Sequence, residues 1–196
     1  MTAIGFLELP STTPEAQALF DEDVAEDGYV MNVTKLWSHN ATLVTNLFDL
    51  MRQAVAEQDL TFRQRGILVA ACASTLGDSY CSLAWGSKLA GVSDPDLAAA
   101  VIRGSDDGLG DDERALASWA RKVAGNPNGT TAQDVERLRS AGFTDSQIFA
   151  ITVFSSLRLA FSTVNDALGV GPDAALQAAA PEAVVSAIGF GRSSQS

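Results

Sequence analysis

The sequence predicts an all-α fold in one domain. Three observations carry that expectation. Apolar residues recur at helical spacing through nearly the whole chain, no run alternates at strand period, and capping residues and glycines punctuate the pattern at short intervals. The 196 residues are 46% hydrophobic and 19% charged, which rules out a wholly disordered chain and leaves enough length for one core.

The elements follow in order. Thr13 and Pro14 open a helix over 14–27 that Gly28 stops, since a proline at the first helical position lacks only an N–H that would be unpaired anyway. A second helix, 39–57, begins at His39. The capping-box sequence Thr61-Phe62-Arg63-Gln64 opens 61–76, and Gly77 closes it. Asp78 then caps 79–90, so that 61–76 and 79–90 form an antiparallel hairpin around the Gly77 break. Ser93 opens 94–103, an acidic exposed loop spans 104–110, and 111–124 ends at Gly125. Thr131 opens 131–141. A second capping box, Thr144-Asp145-Ser146-Gln147, opens a long apolar helix over 145–168. A short helix near 173–179 and a mobile tail, 191–196, complete the chain. No low-complexity linker divides it, so residues 1–196 read as one domain with a core over about 15–170.

Composition removes several function classes. With 13 Lys+Arg against 24 Asp+Glu the formal charge is −11, which disfavours a nucleic-acid partner because phosphate rewards cations. No apolar run approaches the roughly 18 residues of a membrane span. The start, Met1 to Glu8, lacks a basic region and reads as mature protein. Two cysteines, Cys72 and Cys81, and one histidine, His39, cannot supply a four-ligand zinc site or a disulfide framework. No metal and no cofactor is expected, and reduced thiols fit a cytoplasmic location. Gly104 to Gly110 is acidic and would repel a phosphate.

The stretch from Phe62 to Gly104 carries the chemistry. If Asp78 caps the helix at 79–90, Cys81 lies in its first turn, where free N–H groups and the positive dipole end favour a thiolate. Asp78 opposes that gain by its own charge. Ala84, Trp85 and Lys88 share the face of Cys81. Cys72, among Ala70, Ala71 and Ala73, reads as a core residue. On the helix 145–168, Thr152, Ser155, Arg158, Ser162 and Asn165 or Asp166 fall on one face. Arg158 is the only cation of that helix, and a buried cation needs an anionic partner. The expectation is a salt bridge to Asp166 or another carboxylate; the alternative is an anion clamp facing Cys81.

Gly77-Asp78-Ser79-Tyr80-Cys81 followed by Gly91-Val92-Ser93 resembles the core of AhpD-like alkylhydroperoxidases and carboxymuconolactone decarboxylases. Gly28 to Leu36, Asp112 to Lys122, Thr130 to Gly142 and Asn165 to Val170 resemble the branch called peroxidase-related, so the likeness covers roughly 15–170. The resemblance implies an all-α AhpD-like domain that assembles into homo-oligomers. Leu/Ala faces in 94–103 and 173–190 also read as wanting a partner.

The resemblance further implies a site in which two cysteines bracket two residues, with a Glu from the preceding helix and a following His relaying protons. Cys81 occupies the second cysteine position. Asp78 stands at the first, Trp85 at the His position and Gly66 at the Glu position, so a dithiol cycle cannot run within the motif. Cys81 and Asp78 are the candidate catalytic residues. Trp85, Arg158, Tyr80 and His39 are the candidate pocket. Trp85 is expected to fill the old cavity rather than line one, and His39 reads most simply as a capping or surface residue. Two functions compete. One is thiol peroxidase-like activity at Cys81 alone. The other is a non-peroxidase that kept the fold, either a cofactor-free lyase or isomerase on a small organic acid or a silent binding protein. A small-molecule ligand is the expected partner besides a second copy, with neither nucleic acid nor membrane.

Overall fold

Helices make up nearly all the regular structure in residues 3–195, which the computed structural model describes. They are α1 (Pro14–Asp27), α2 (Asn32–Trp37), α3 (Ala41–Val55), α4 (Phe62–Leu76), α5 (Ser79–Val92), α6 (Pro95–Ile102) and α7 (Asp111–Gly125). Then come α8 (Ala132–Ser140), α9 (Asp145–Ala167), α10 (Ala174–Ala179) and α11 (Glu182–Ala187). A two-residue hairpin, β1 (Ala3–Ile4) with β2 (Leu7–Glu8), pairs Ile4 with Leu7 in antiparallel register.

The core is built around α4. Eight consecutive residues, Gly66 to Ala73, are buried, because α5, α6, α7 and α9 all pack on it. Both capping boxes form: Thr61 Oγ1 accepts the Gln64 N–H and Thr144 Oγ1 accepts the Gln147 N–H, each glutamine side chain answering on the threonine N–H. Gly77 takes the left-handed conformation and turns α4 into α5. By length and composition α9 would pass as a membrane span, but it is a core helix packed on α3, α4 and α7, with a buried polar face.

Several expectations need correction. The helix expected from 39 starts at Ala41, after a 3₁₀ turn over Ser38–Asn40, and α2 precedes it unforeseen. The apolar face of 94–103 is covered within the chain, because α6 and α11 pack on each other and on α5 and bury Ala98 to Ile102, Val184 and Ala187, whereas α10 over 174–179 buries none of its residues. At Gly86 of α5 a Cβ would come within 2.7 Å of Ile102 Cδ1 and 2.9 Å of Val184 Cγ1, so any side chain there would force those methyls apart. The large apolar side chains left exposed are elsewhere, among them Leu43 and Leu50 on α3 and Phe149 on α9.

The tail, expected to be mobile, is bound to the body through its described residues. The Gln195 N–H donates to Pro172 O (2.7 Å), and its carbonyl accepts from Ala174 N–H (2.9 Å). Ser79 Oγ donates to Arg192 O (2.8 Å) and accepts the Arg192 N–H (3.0 Å). Ser196, Met1 and Thr2 lie outside the described residues.

Candidate functional site

The head of α5 sets the site. Asp78 is fully buried, and its Oδ1 accepts the Cys81 N–H at 2.9 Å, which satisfies one free donor of the first turn. Its Oδ2 has no hydrogen-bond partner. Cys81 is buried beneath it. Burial and the Asp78 charge push the Cys81 thiol well above the ordinary range, while Arg158 and the Ser162 hydroxyl pull it back only in part. The dipole advantage of the helix start is therefore outweighed. Cys72 is a core residue, its thiol donating to Ala120 O at 3.6 Å and pushed by burial to about 11; both cysteines are free.

Arg158 departs from the expected salt bridge. It is 7% exposed, yet no carboxylate oxygen among the described residues lies within 4.0 Å of it. Its Nη1 meets only Met51 Sδ at 3.6 Å and its Nε has no partner. Asp166 is turned elsewhere: burial and the Asp78 charge raise its pKa to about 6, and Arg192 is the cation that opposes the rise. The Arg158 guanidinium stacks over the Trp85 ring, 4.5 Å from its centroid, with the Phe154 ring at 6.0 Å.

Trp85 is half-buried and lines a cavity of about 130 Å³ instead of filling it. Its ring stacks on Phe62, centroids 5.9 Å apart. The polar face of α9 continues inward as Ser155, Ser162 and Asn165, all buried; Asn165 Oδ1 accepts the Trp37 indole N–H at 2.8 Å. Asp78, Cys81, Ser162, Arg158 and Trp85 thus form one connected region between α5 and α9.

Tyr80 and His39 do not join it. The Tyr80 hydroxyl donates to Asp173 Oδ2 (2.5 Å), which ties α5 to the start of α10; burial and Asp173 hold its proton on more tightly than usual. His39 is exposed, its Nε2 3.1 Å from Glu8 O at the N-terminal hairpin. Gly66, at the position where the resemblance expects a Glu, lies against Leu89; a Cβ there would sit 3.3 Å from Leu89 Cδ1. No group of three metal-ligating side chains occurs among the described residues.

Sequence reasoning missed Arg65, Arg52, Met51 and Phe154, all of which line the cavity. One signal was readable. Arg63 and Arg65 stand in the first turn of α4, where the helix dipole disfavours cations and the turn itself carries no acid.

No family model and no curated protein sequence matches the chain. Solved structures do. An uncharacterized peroxidase-related protein from Silicibacter sp. TM1040 matches at 24% identity and TM-score 0.77, over 88% of this chain and 94% of that one. An uncharacterized peroxidase-related protein from Ralstonia eutropha JMP134, described as an alkylhydroperoxidase AhpD core, matches at 21% identity and TM-score 0.78, over 90% and 96%. The debrominase Bmp8 matches at 16% identity and TM-score 0.74 without ligand, over 96% and 98%. Its complex with 2,3,4-tribromopyrrole matches at 16% and 0.71, over 91% and 95%. The chain shares the all-α AhpD-like fold of these structures.

Proposed function

We propose that the chain is a single-thiol protein of the AhpD-like fold, with Cys81 the reacting group and the dithiol peroxidase cycle lost. The observation that carries this reading is the pairing of a buried thiol at the head of α5 with a buried, unpaired Arg158. In such a site Cys81 attacks the distal oxygen of a hydroperoxide, giving cysteine sulfenic acid and the alcohol. An external monothiol then displaces water to form a mixed disulfide. A second monothiol releases Cys81 as the thiol and leaves as the external disulfide. Arg158 is the group that would stabilise the thiolate.

Turnover by this route is weak. Asp78 supplies no resolving sulfur, Trp85 no imidazole and Gly66 no carboxylate. General acid–base assistance is worth about 10²–10⁴-fold, and this site has none of the expected relay. A peroxide assay with dithiol and monothiol reductants, on wild type and Cys81→Ser, tests the reading. A stoichiometric burst that quickens as pH rises above 7, followed by slow, monothiol-dependent turnover and lost in Cys81→Ser, is expected. Robust dithiol-dependent turnover overturns it.

A second reading is a non-peroxidase that kept the fold, either a cofactor-free lyase or isomerase on a small organic acid or a silent binding protein. The open cavity over Trp85 favours it, as does the flat halogenated ring bound by the debrominase of this fold. No burst at all, with Cys81 inert to peroxide, selects this reading. We also propose a homo-oligomer, supported by the exposed Leu43, Leu50 and Phe149, and a cytoplasmic location, supported by two free thiols. Light scattering at micromolar protein is expected to give a mass above the 20.5 kDa of one chain.

A further inference from the structure

We propose that the cavity between α3, α5 and α9 binds a small aromatic carboxylate, one ring bearing a single anionic group held by Arg158. The inference rests on the reading of the same site but does not require Cys81 to react.

The first observation is an unmet donor. A guanidinium carries five N–H donors and no acceptor. Arg158 is 7% exposed, its Nε has no partner, and its Nη1 reaches only a thioether sulfur at 3.6 Å. Burying a cation in this way is costly unless an anion completes it. The Asp78 charge favours the guanidinium from a distance but makes no hydrogen bond to it, since Oδ1 is taken by the Cys81 N–H and Oδ2 is itself unpartnered.

The second observation is the sign of the lining. The chain has only 13 Lys+Arg against 24 Asp+Glu, yet Arg52, Arg65 and Arg158 all line this one cavity and no acid does. Arg65 Nε is likewise buried without a partner. Arg52 pairs with Asp49 on its outer side. A random patch on so acidic a chain would carry the opposite charge.

The third observation is shape. The rest of the lining is apolar: the rings of Phe48, Trp85 and Phe154, with Met51 and Val55. The volume is about 130 Å³. A cavity of about 150 Å³ holds a benzene, so a single ring fills this open one, a short substituent can extend only toward its mouth, and a nucleotide is too large. The Arg158 guanidinium carbon lies 4.5 Å from the centroid of the Trp85 ring, and its only hydrogen-bond partner among the described residues is the Met51 sulfur, so its donors remain available to a planar carboxylate beside that ring.

The test is calorimetric titration of the purified protein with benzoate, with benzamide as the neutral isostere and acetate as the ringless anion. Saturable benzoate binding is expected, at least tenfold tighter than either control. Arg158→Met is expected to lose it, and Arg65→Met to weaken it. Should Arg158→Met fail to fold, the three-ligand comparison on wild type decides alone. No benzoate binding, benzamide binding as tightly as benzoate, acetate binding as tightly, or undiminished binding in Arg158→Met each overturn the proposal. Titrating Cys81→Ser separates the two conclusions. Retained benzoate binding in a protein whose wild type shows no thiol chemistry leaves this inference standing while the function above fails.

Discussion

Arg63 and Arg65 leave the same first turn of α4 and end in opposite circumstances. Arg63 turns toward α7 and meets Glu113 with two bonds, Nε to Oε1 at 2.5 Å and Nη2 to Oε2 at 3.0 Å. Around it Gln64 Nε2 donates to Asp112 (3.0 Å), and farther along the same helix α7 Lys122 meets Asp134 (2.5 Å). Arg65 turns the other way, toward α5 and α9, lies 5.5 Å over the Phe62 ring and leaves Nε without a partner. On that flank Arg158, Asp78, Ser82 and Ser155 also keep unpaired polar atoms. The first flank, Arg121 Nε apart, matches donor to acceptor and holds the helices together. The other leaves donors unmatched, a cost that a fold tolerates where a ligand or a reacting group supplies the missing partner.

The largest effect that sharpens this contrast is on the thiol. Alkylation of Cys81 by iodoacetamide should be slow at pH 7 and rise about tenfold per pH unit to pH 9, without a plateau. Asp78→Asn keeps a cap acceptor for the Cys81 N–H but removes the charge that raises the thiol, so the rate at pH 8 should rise by about tenfold. A plateau below pH 8 in the wild type would show that burial and Asp78 do not control Cys81.

Next in size is the matched flank. Glu113→Ala removes both bonds to Arg63 and the acceptor for the Gly110 N–H, and should cost about 1–2 kcal/mol in urea unfolding at pH 7. The Arg63 side chain holds the Glu113 carboxyl below its ordinary value. That stability is therefore present above the unfolded carboxyl pKa and lost as pH falls through the folded one, so wild type and variant should converge toward pH 3.

Arg158→Met should do the reverse of Glu113→Ala. Exchanging an unpaired buried cation for an apolar side chain of similar length should leave unfolding unchanged or raise it by about 1 kcal/mol. A loss comparable to Glu113→Ala would mean that Arg158 is paired in solution, and the contrast between the flanks would collapse.

The smallest effect concerns Asp166, whose folded pKa is raised to about 6 by burial and by Asp78. The folded state then binds the extra proton, so this group's contribution falls as pH rises from about 4 to 6. Asp166→Asn should melt higher than wild type at pH 7.5 and equally at pH 4. Equal melting at both would remove the effect.

The helices were legible where their start is written locally. Thr13, Thr61, Asp78, Thr131 and Thr144 each accept the backbone N–H three residues on, a signal confined to four residues. Helix α2 was not, because Met31 makes no side-chain cap and the Asn32 N–H goes to Asp173 Oδ1, 141 residues away. In the site, the place of Cys81 and Asp78 followed from the same local rule. The buried face of α9 followed from helical spacing. What Arg158 lacks was invisible, since an absent partner is a property of every element packed around it. The contribution of α3 to the cavity was hidden for the same reason: nothing in its own sequence says which neighbour Met51 faces.

The contact between Ser79 and Arg192 spans 113 residues. During synthesis the α4–α5 hairpin leaves the ribosome long before Gly191, the residue that passes so close to its turn that a Cβ there would lie 2.7 Å from Gly77 O. The elbow of the hairpin, two residues from Cys81, therefore stays uncovered while more than half of the chain is still being made. The order of emergence makes the docking of Gly191 and Arg192 on that elbow a late step, one that can follow only after the helices between them have been made.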